Sequence, residues 1–263
     1  MDLQLKGKSA FIAGASRGLG YAVARVLLLE GCRVVINGRN ESNLAEAATK
    51  LCAETGGEVI PLSGDVSDPA VPSQLIQSTV DHLGGLDLLV TNAGGPPPGP
   101  FEALDDSKWY KAIDLSLMSH IRLIRAALPW LKFSKAASVL TITSLSVKQP
   151  IPNLVLSNSI RAATVGLTKT LALELGQAGI RFNSILPGWT KTERVSELLM
   201  NRASQNGTTI EIEIARQSSE SPLGRMATPE EFANAAVFLL SPAASYMTGV
   251  MLTVDGGMYK GTL

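Results

Sequence analysis

Ala13-Gly14-Ala15-Ser16-Arg17-Gly18-Leu19-Gly20 is the stretch whose reading decides the fold. It follows an apolar run at 9–13 and opens a helical pattern, with Leu19, Val23, Val26 and Leu27 recurring at i, i+4, i+7 and i+8. Three glycines at spacings of four and two let a backbone leave a strand and turn without a Cβ clash. They bring bare N–H groups and a helix N-terminus against a pyrophosphate. The stretch therefore reads as a dinucleotide-binding turn, with Gly14, Ser16, Arg17, Gly18, Leu19 and Gly20 as candidate contacts. Alone, the same glycines would suit a strand-to-helix turn with no ligand, so the reading depends on the rest of the chain.

Working outward, short apolar runs alternate with helical patterns, as βαβ units and a parallel sheet require. Seven strands are expected near 9–13, 33–37, 58–62, 86–91, 138–143, 181–186 and 250–254. Helices are expected near 19–30, 42–54, 69–83, 105–131, 154–175 and 229–240. The fold class is thus α/β: a single domain, 1–263, built on a doubly wound seven-stranded parallel sheet with helices on both faces. At 45% hydrophobic residues, 263 residues can bury a core of that size. The one irregular stretch is 191–222, polar and weakly helical, placed after a strand end where open α/β sheets keep their ligand crevice. It reads as a mobile lid, the plain alternative being a surface excursion.

Composition limits the partners. Twenty-three basic residues balance 23 acidic ones, so no long-range field gathers nucleic acid or an anionic membrane, and a small molecule is the expected ligand. No leader peptide and no apolar run of membrane-spanning length is read, which points to the cytoplasm. Cys32 and Cys52 match no metal-ligand spacing; no metal is expected and both thiols are read as free.

After the second strand comes Asn37-Gly38-Arg39, where an acidic side chain would accept from both ribose hydroxyls of NAD. With no carboxylate there, Arg39 is placed to meet a 2′-phosphate, and Arg17 can reach it from the other side. NADP is preferred over NAD on that ground, although both arginines would also suit a solvated surface. Asp65-Val66 and Asn92-Ala93-Gly94-Gly95 stand at later strand ends, the first able to accept from an adenine amino group and the second letting a ribose approach. Plain turn chemistry would account for either.

Taken with these, Gly179-Ile-Arg-Phe-Asn-Ser-Ile-Leu-Pro-Gly188, Pro222-Leu-Gly-Arg-Met-Ala-Thr-Pro-Glu-Glu231 and Thr248-Gly249 followed by Asp255-Gly256-Gly257 complete a series of five stretches in order. In that series the chain resembles the short-chain dehydrogenase/reductase superfamily, nearest its β-ketoacyl-reductase-like branch, over nearly its whole length. The resemblance implies a Rossmann domain and a nicotinamide cofactor. It implies a carboxamide held by Pro187, Gly188, Thr190 and Thr192, and a homotetramer, or a homodimer, built on the helices at 105–131 and 154–175.

The family's proton chemistry rests on an Asn, a Ser, a Tyr and a Lys. Ser144 matches the Ser, but Ser157 stands thirteen residues on where the Tyr belongs, Arg161 replaces the Lys and Ser116 the Asn. Ala162-Ala163 and Gly166-Leu167-Thr168-Lys169 continue the family's helix without a gap, so misalignment does not explain the difference. A serine hydroxyl is a far weaker acid than a tyrosine. Arg161, whose pKa lies above about 12, can donate to the nicotinamide ribose and lend charge to an oxyanion but cannot relay protons. As replacement acids, Lys148 reads as an exposed loop lysine, His120 as a packed histidine and Glu193 as a solvated carboxylate. The rigid Pro96-Pro97-Pro98-Gly99-Pro100 reads as a pocket wall.

The expectation is an NADP(H)-preferring oxidoreductase acting on a carbonyl or alcohol, with Ser144, Ser157, Arg161 and Ser116 as its catalytic set. The alternative is a nicotinamide-nucleotide-binding protein with little or no turnover, serving as a sensor or structural subunit.

Overall fold

β-Branched and leucine-rich runs bounded by glycine turns form seven parallel strands in the computed structural model, which describes residues 1–262. In chain order they are β1 (Ser9–Ile12), β2 (Arg33–Gly38), β3 (Val59–Ser63), β4 (Leu88–Thr91), β5 (Ser138–Ile142), β6 (Arg181–Pro187) and β7 (Met251–Val254). Their spatial order is β3-β2-β1-β4-β5-β6-β7 and every pairing is parallel. The connections reverse direction between β1 and β4, which opens a crevice at the carboxyl ends of the strands there.

Because parallel strands are covered on both faces, their side chains feed two cores. On one face Ile12, Val34, Ile36 and Leu88 pack under α1 (Gly18–Leu29), α2 (Glu41–Thr55) and α9 (Pro229–Leu240). On the other, Phe11, Val35, Leu89 and Phe182 pack under α3 (Val71–Leu83), α5 (Ser119–Leu131) and α6 (Val155–Leu175). This is the doubly wound, single-domain architecture the periodicity predicts.

Two expectations need correction. The helix read over 105–131 is α4 (Asp106–Ile113), one wide π-helical turn (Asp114–Met118) and α5. The wide turn leaves the Ser116 carbonyl free to accept from Thr164 Oγ1 of α6 at 2.7 Å. The stretch 191–222 is more regular than expected: it forms α7 (Glu193–Asn206) and α8 (Ile210–Glu220), capped by Thr192 and Thr209 accepting from Val195 N and Ile212 N. The buried carboxylate of Glu213 accepts from Thr208 Oγ1 at 2.5 Å, Asn206 Nδ2 at 3.1 Å and Arg216 Nη1 at 3.0 Å, fixing the elbow between them. The insertion leaves and returns beside itself, Lys191 N donating to Ala227 O and Ala227 N to Trp189 O.

Candidate active site

The crevice is a cleft of about 380 Å³, lined at one end by the glycine turn and the ends of β2 and β3, at the other by β5 and α6, with the start of α7 across from the glycine turn. The turn is built as its glycines require. Gly14 and Gly18 have φ of +60° and +62°, a left-handed region costly for any other residue, and a Cβ on Gly20 would overlap the Gly14 carbonyl oxygen. Gly20 therefore serves the close packing of the turn and does not line the cleft, whereas Gly14, Ser16, Arg17, Gly18 and Leu19 do. Asn92 ties β4 to this turn by donating to the Gly14 carbonyl at 3.1 Å, with Ala93 and Gly94 beside it on the cleft wall.

At the end of β2, Asn37 is buried and spends its side-chain amide on the carbonyls of Leu62 and Gly64, clamping β3. Arg39 is 72% exposed and 3.9 Å from Asp65 Oδ2; Arg17 is 62% exposed and 3.8 Å from Glu197 Oε1. Both arginines thus line the cleft in loose, solvated ion pairs. Asp65 closes its own turn, Oδ1 accepting from Ser67 N at 2.9 Å and Ser67 Oγ at 2.7 Å, and Val66 is buried against the wall.

At the opposite end Ser144 leaves β5 in extended conformation and its Oγ accepts from Ser146 N at 3.1 Å. Ser157 and Arg161 project from successive turns of α6 onto the same wall. Arg161 is only 8% exposed, and its Nη1 donates to Ile142 O at 3.3 Å and Thr143 O at 3.2 Å. Burial, with a smaller contribution from the nearby Arg194 cation, pulls its pKa down to about 10, so the guanidinium remains charged at neutral pH. Ser116 does not reach the cleft: it is buried behind this wall with Oγ unpaired. His120, one turn further, is equally buried, its Nδ1 unpaired and its pKa pushed down to about 3 by burial and then by Arg161.

The end of β6 supplies Pro187 and Gly188, and then Thr190 and Thr192. A Cβ at Gly188 would stand 2.7 Å from Asp255 Cα, so only glycine lets β6 and the segment after β7 approach there. Thr190 is 2% exposed with its hydroxyl unpaired, a buried polar atom waiting for a ligand. Sequence reasoning missed Trp189, Arg194 and Leu198 on the wall. Arg202 of α7 stacks 5.4 Å from the Trp189 ring centroid, which seats that helix over the cleft. Pro96, from the proline-rich loop, lines the wall as expected and accepts from Arg194 Nη2 at 3.3 Å. Lys148 lies outside the cleft, its ammonium 5.1 Å from the Tyr259 ring centroid. Glu193 is exposed at the mouth, its carboxylate facing Gly18.

A left-handed glycine cradle, a switch-point cleft and an orphaned threonine hydroxyl together define an α/β fold of the dinucleotide-binding kind, and the residues present suit such a group. The family model described as enoyl-(acyl carrier protein) reductase matches residues 14–259. The 7alpha-hydroxysteroid dehydrogenase of Escherichia coli is 33% identical over 259 residues, covering 97% of this chain and 96% of its own. The 3-oxoacyl-[acyl-carrier-protein] reductase FabG of Chlamydia muridarum is 31% identical, over 98% of this chain and all of its own. Among solved structures, L-sorbose reductase from Gluconobacter frateurii, complexed with NADPH and L-sorbose, superposes with a TM-score of 0.94 at 33% identity, over 99% of this chain and 100% of the other. The chain belongs to the short-chain dehydrogenase/reductase family and is an oxidoreductase of that type.

No helix of the described residues is long and apolar enough to cross a membrane. No group of three or more His, Cys, Asp and Glu residues among them could hold a metal ion. Both cysteines are free, Cys32 buried and Cys52 exposed.

Proposed function

We propose that this chain interconverts a small-molecule carbonyl and its alcohol with NADPH preferred over NADH. The observation that carries the reading is the convergence, in one cleft, of the glycine cradle, two lightly committed arginines and the set Ser144, Ser157 and Arg161. The bound nicotinamide nucleotide supplies or accepts the hydride. Arg17 and Arg39 bind the 2′-phosphate, a change that sacrifices only ion pairs of 3.8 and 3.9 Å. Thr190 and Thr192, with Pro187 and Gly188, hold the carboxamide, while Gly14, Ser16, Gly18 and Leu19 cradle the phosphates. Asp65, Val66, Asn92, Ala93 and Gly94 flank the adenine and ribose.

At the reacting end Ser144 and Ser157 donate to the substrate oxygen. The buried charge of Arg161 stabilises the alkoxide as it forms, in a low-dielectric wall where a fixed cation acts strongly. Its Nη1 is committed to two backbone carbonyls, so ribose contact falls to the remaining guanidinium N–H groups. Ser116 acts through this wall as a positioning residue, since its carbonyl is tied to Thr164 and its hydroxyl faces no ligand. Among the described residues no Tyr, His or Lys lines the cleft. The serines therefore pass on a proton drawn from solvent, at a cost of about 10²–10⁴ in rate relative to a dedicated acid.

That same lining favours a second reading, a nicotinamide-nucleotide-binding protein with little turnover. Rapid mixing of NADPH-loaded protein with a panel of aldehydes and ketones separates the two. Oxidation of bound NADPH by any member establishes the enzyme; tight NADPH binding with no oxidation across the panel establishes the binding protein.

Three wider readings accompany it. Free thiols fit a cytoplasmic protein. The exposed stripe Ala162, Gly166, Thr170 and Leu173 on α6 fits a homodimer or homotetramer contact, because a Cβ at Gly166 would meet nothing within 4 Å of its own chain. Finally, α7 and α8 form a lid whose elbow is fixed by Glu213.

A further inference from the structure

Arg161 and Arg194 both line the cleft, and the charge of Arg194 acts on Arg161. Arg161 is 8% exposed and its two hydrogen bonds go to neutral carbonyls, so a buried cation sits there without a carboxylate. Arg194, its side chain 44% exposed, is held among the described residues by the Pro96 carbonyl at 3.3 Å and by a 3.8 Å pairing with Glu197, itself shared with Arg17. Arg161 is the buried cation here, and an anion received by the half-exposed Arg194 in the same cleft would offset its charge.

We propose that the substrate carries an anionic group, a carboxylate or phosphate, and that Arg194 receives it. The proposal rests on the carbonyl–alcohol reading above and names its substrate class. A cofactor pyrophosphate offers the same chemistry, and Glu197 links Arg194 to Arg17 of the glycine turn, so the NADPH titration below separates the two sources. Toward the substrate, the Arg194 guanidinium reaches the loop after β4, with Nη2 bonded to Pro96 and next to Gly95. Arg161, at the bottom, contributes field to the same anion and to the reacting oxygen. A guanidinium pairs a carboxylate or phosphate through two parallel N–H donors, so Arg194→Lys restores charge without the fork.

The test uses 4-oxopentanoate against its methyl ester, and dihydroxyacetone phosphate against dihydroxyacetone, with wild type, Arg194→Ala and Arg194→Lys. Thermal shifts on NADP-loaded protein are read alongside NADPH oxidation. The anionic member of at least one pair should bind about ten- to a hundredfold more tightly than its neutral partner, Arg194→Ala should abolish that preference, and Arg194→Lys should restore part of it. The dissociation constant for NADPH should stay within about twofold across the three proteins. Equal binding of acid and neutral partner to wild type overturns the proposal whether or not turnover occurs. A parallel loss of NADPH affinity in Arg194→Ala overturns it in favour of the pyrophosphate. Preferential anion binding without NADPH oxidation sustains the anion site and instead overturns the carbonyl–alcohol reading.

Discussion

A neutral imidazole sealed behind a guanidinium makes His120 the residue whose protonation the fold resists most clearly. Its pKa is pushed down to about 3, while in the unfolded chain it titrates near 6.5. As pH falls below that value the unfolded chain takes up a proton that the folded one refuses, so stability drops by up to about 1.4 kcal/mol per unit until pH approaches 3. Replacing the ring by His120→Leu removes this slope. Between pH 6.5 and 5 the variant should lose roughly 1.5–2 kcal/mol less than wild type in urea titrations, and identical slopes would mean the folded protein admits the proton. Arg39 gives the second residue-scale expectation. Arg39→Ala should weaken NADPH by about tenfold, the low end for a charge-assisted contact because the side chain is 72% exposed, and leave NADH unchanged in fluorescence titrations. Residues of this kind differ in how visible they are in sequence. Gly14, Gly18 and Gly20 announce the cradle because backbone geometry permits little else. Ser144, Ser157 and Arg161 are legible only through the family resemblance, which marks those positions on one strand end and one helix. Arg194 was not legible, because nothing local distinguishes a cation facing the cleft from the solvated charges around it on α7.

Helix ends and strand ends show where regular structure is held from outside. Arg181, at the start of β6, donates to the carbonyls of Leu239, Leu240 and Ser241 at the C-terminus of α9, at 2.7, 2.8 and 2.9 Å. These are the acceptors a helix leaves unsatisfied at its last turn, where a cation is also favoured by the helix dipole. Burial lowers the Arg181 pKa to about 10, yet it stays charged at neutral pH. Arg181→Met keeps most of the stem but strands three carbonyls. At about 1–3 kcal/mol for a buried acceptor left unmade, with partial rescue by water, the expected loss is about 3 kcal/mol, or roughly 6–12 °C in Tm by calorimetry. A loss under 1 kcal/mol would show that water replaces the guanidinium fully. Element boundaries followed the sequence wherever glycine or an apolar run marked them, as at Gly84, which ends α3 in left-handed conformation. They failed at 114–118 because a π turn inserts one residue without needing glycine or proline, and the apolar pattern runs on across it. They failed at 193–220 because α7 and α8 bury little: their definition comes from Thr192, Thr209 and the Glu213 elbow, and a search for apolar periodicity does not register caps.

For the whole molecule the question is what covers the outer face of α6. The inner face of that helix is committed, with Leu156, Ile160, Thr164, Thr168 and Ala172 buried against the fold. Outward it shows Ala162, Gly166 and Thr170, small residues at i, i+4 and i+8, followed by Leu173 at 75% exposure. Glycine inside a helix costs about 1 kcal/mol against alanine, and within the monomer nothing requires it at 166, where a Cβ would find open space. In the proposed oligomer a second copy of the same helix laid across the stripe would supply the missing reason, since small residues let two backbones approach and a two-fold axis would bring Gly166 to Gly166. Gly166→Leu then has opposite effects at two scales. Within one chain it should be neutral or stabilising by up to about 1 kcal/mol, because it replaces a poor helix former with a good one. Between chains its side chain fills the space the partner's backbone needs. In light scattering after size exclusion the variant should run at a lower oligomeric order than wild type, while far-ultraviolet dichroism stays native. A variant that keeps the wild-type assembly would place the contact elsewhere on the surface and leave Gly166 without a structural reason.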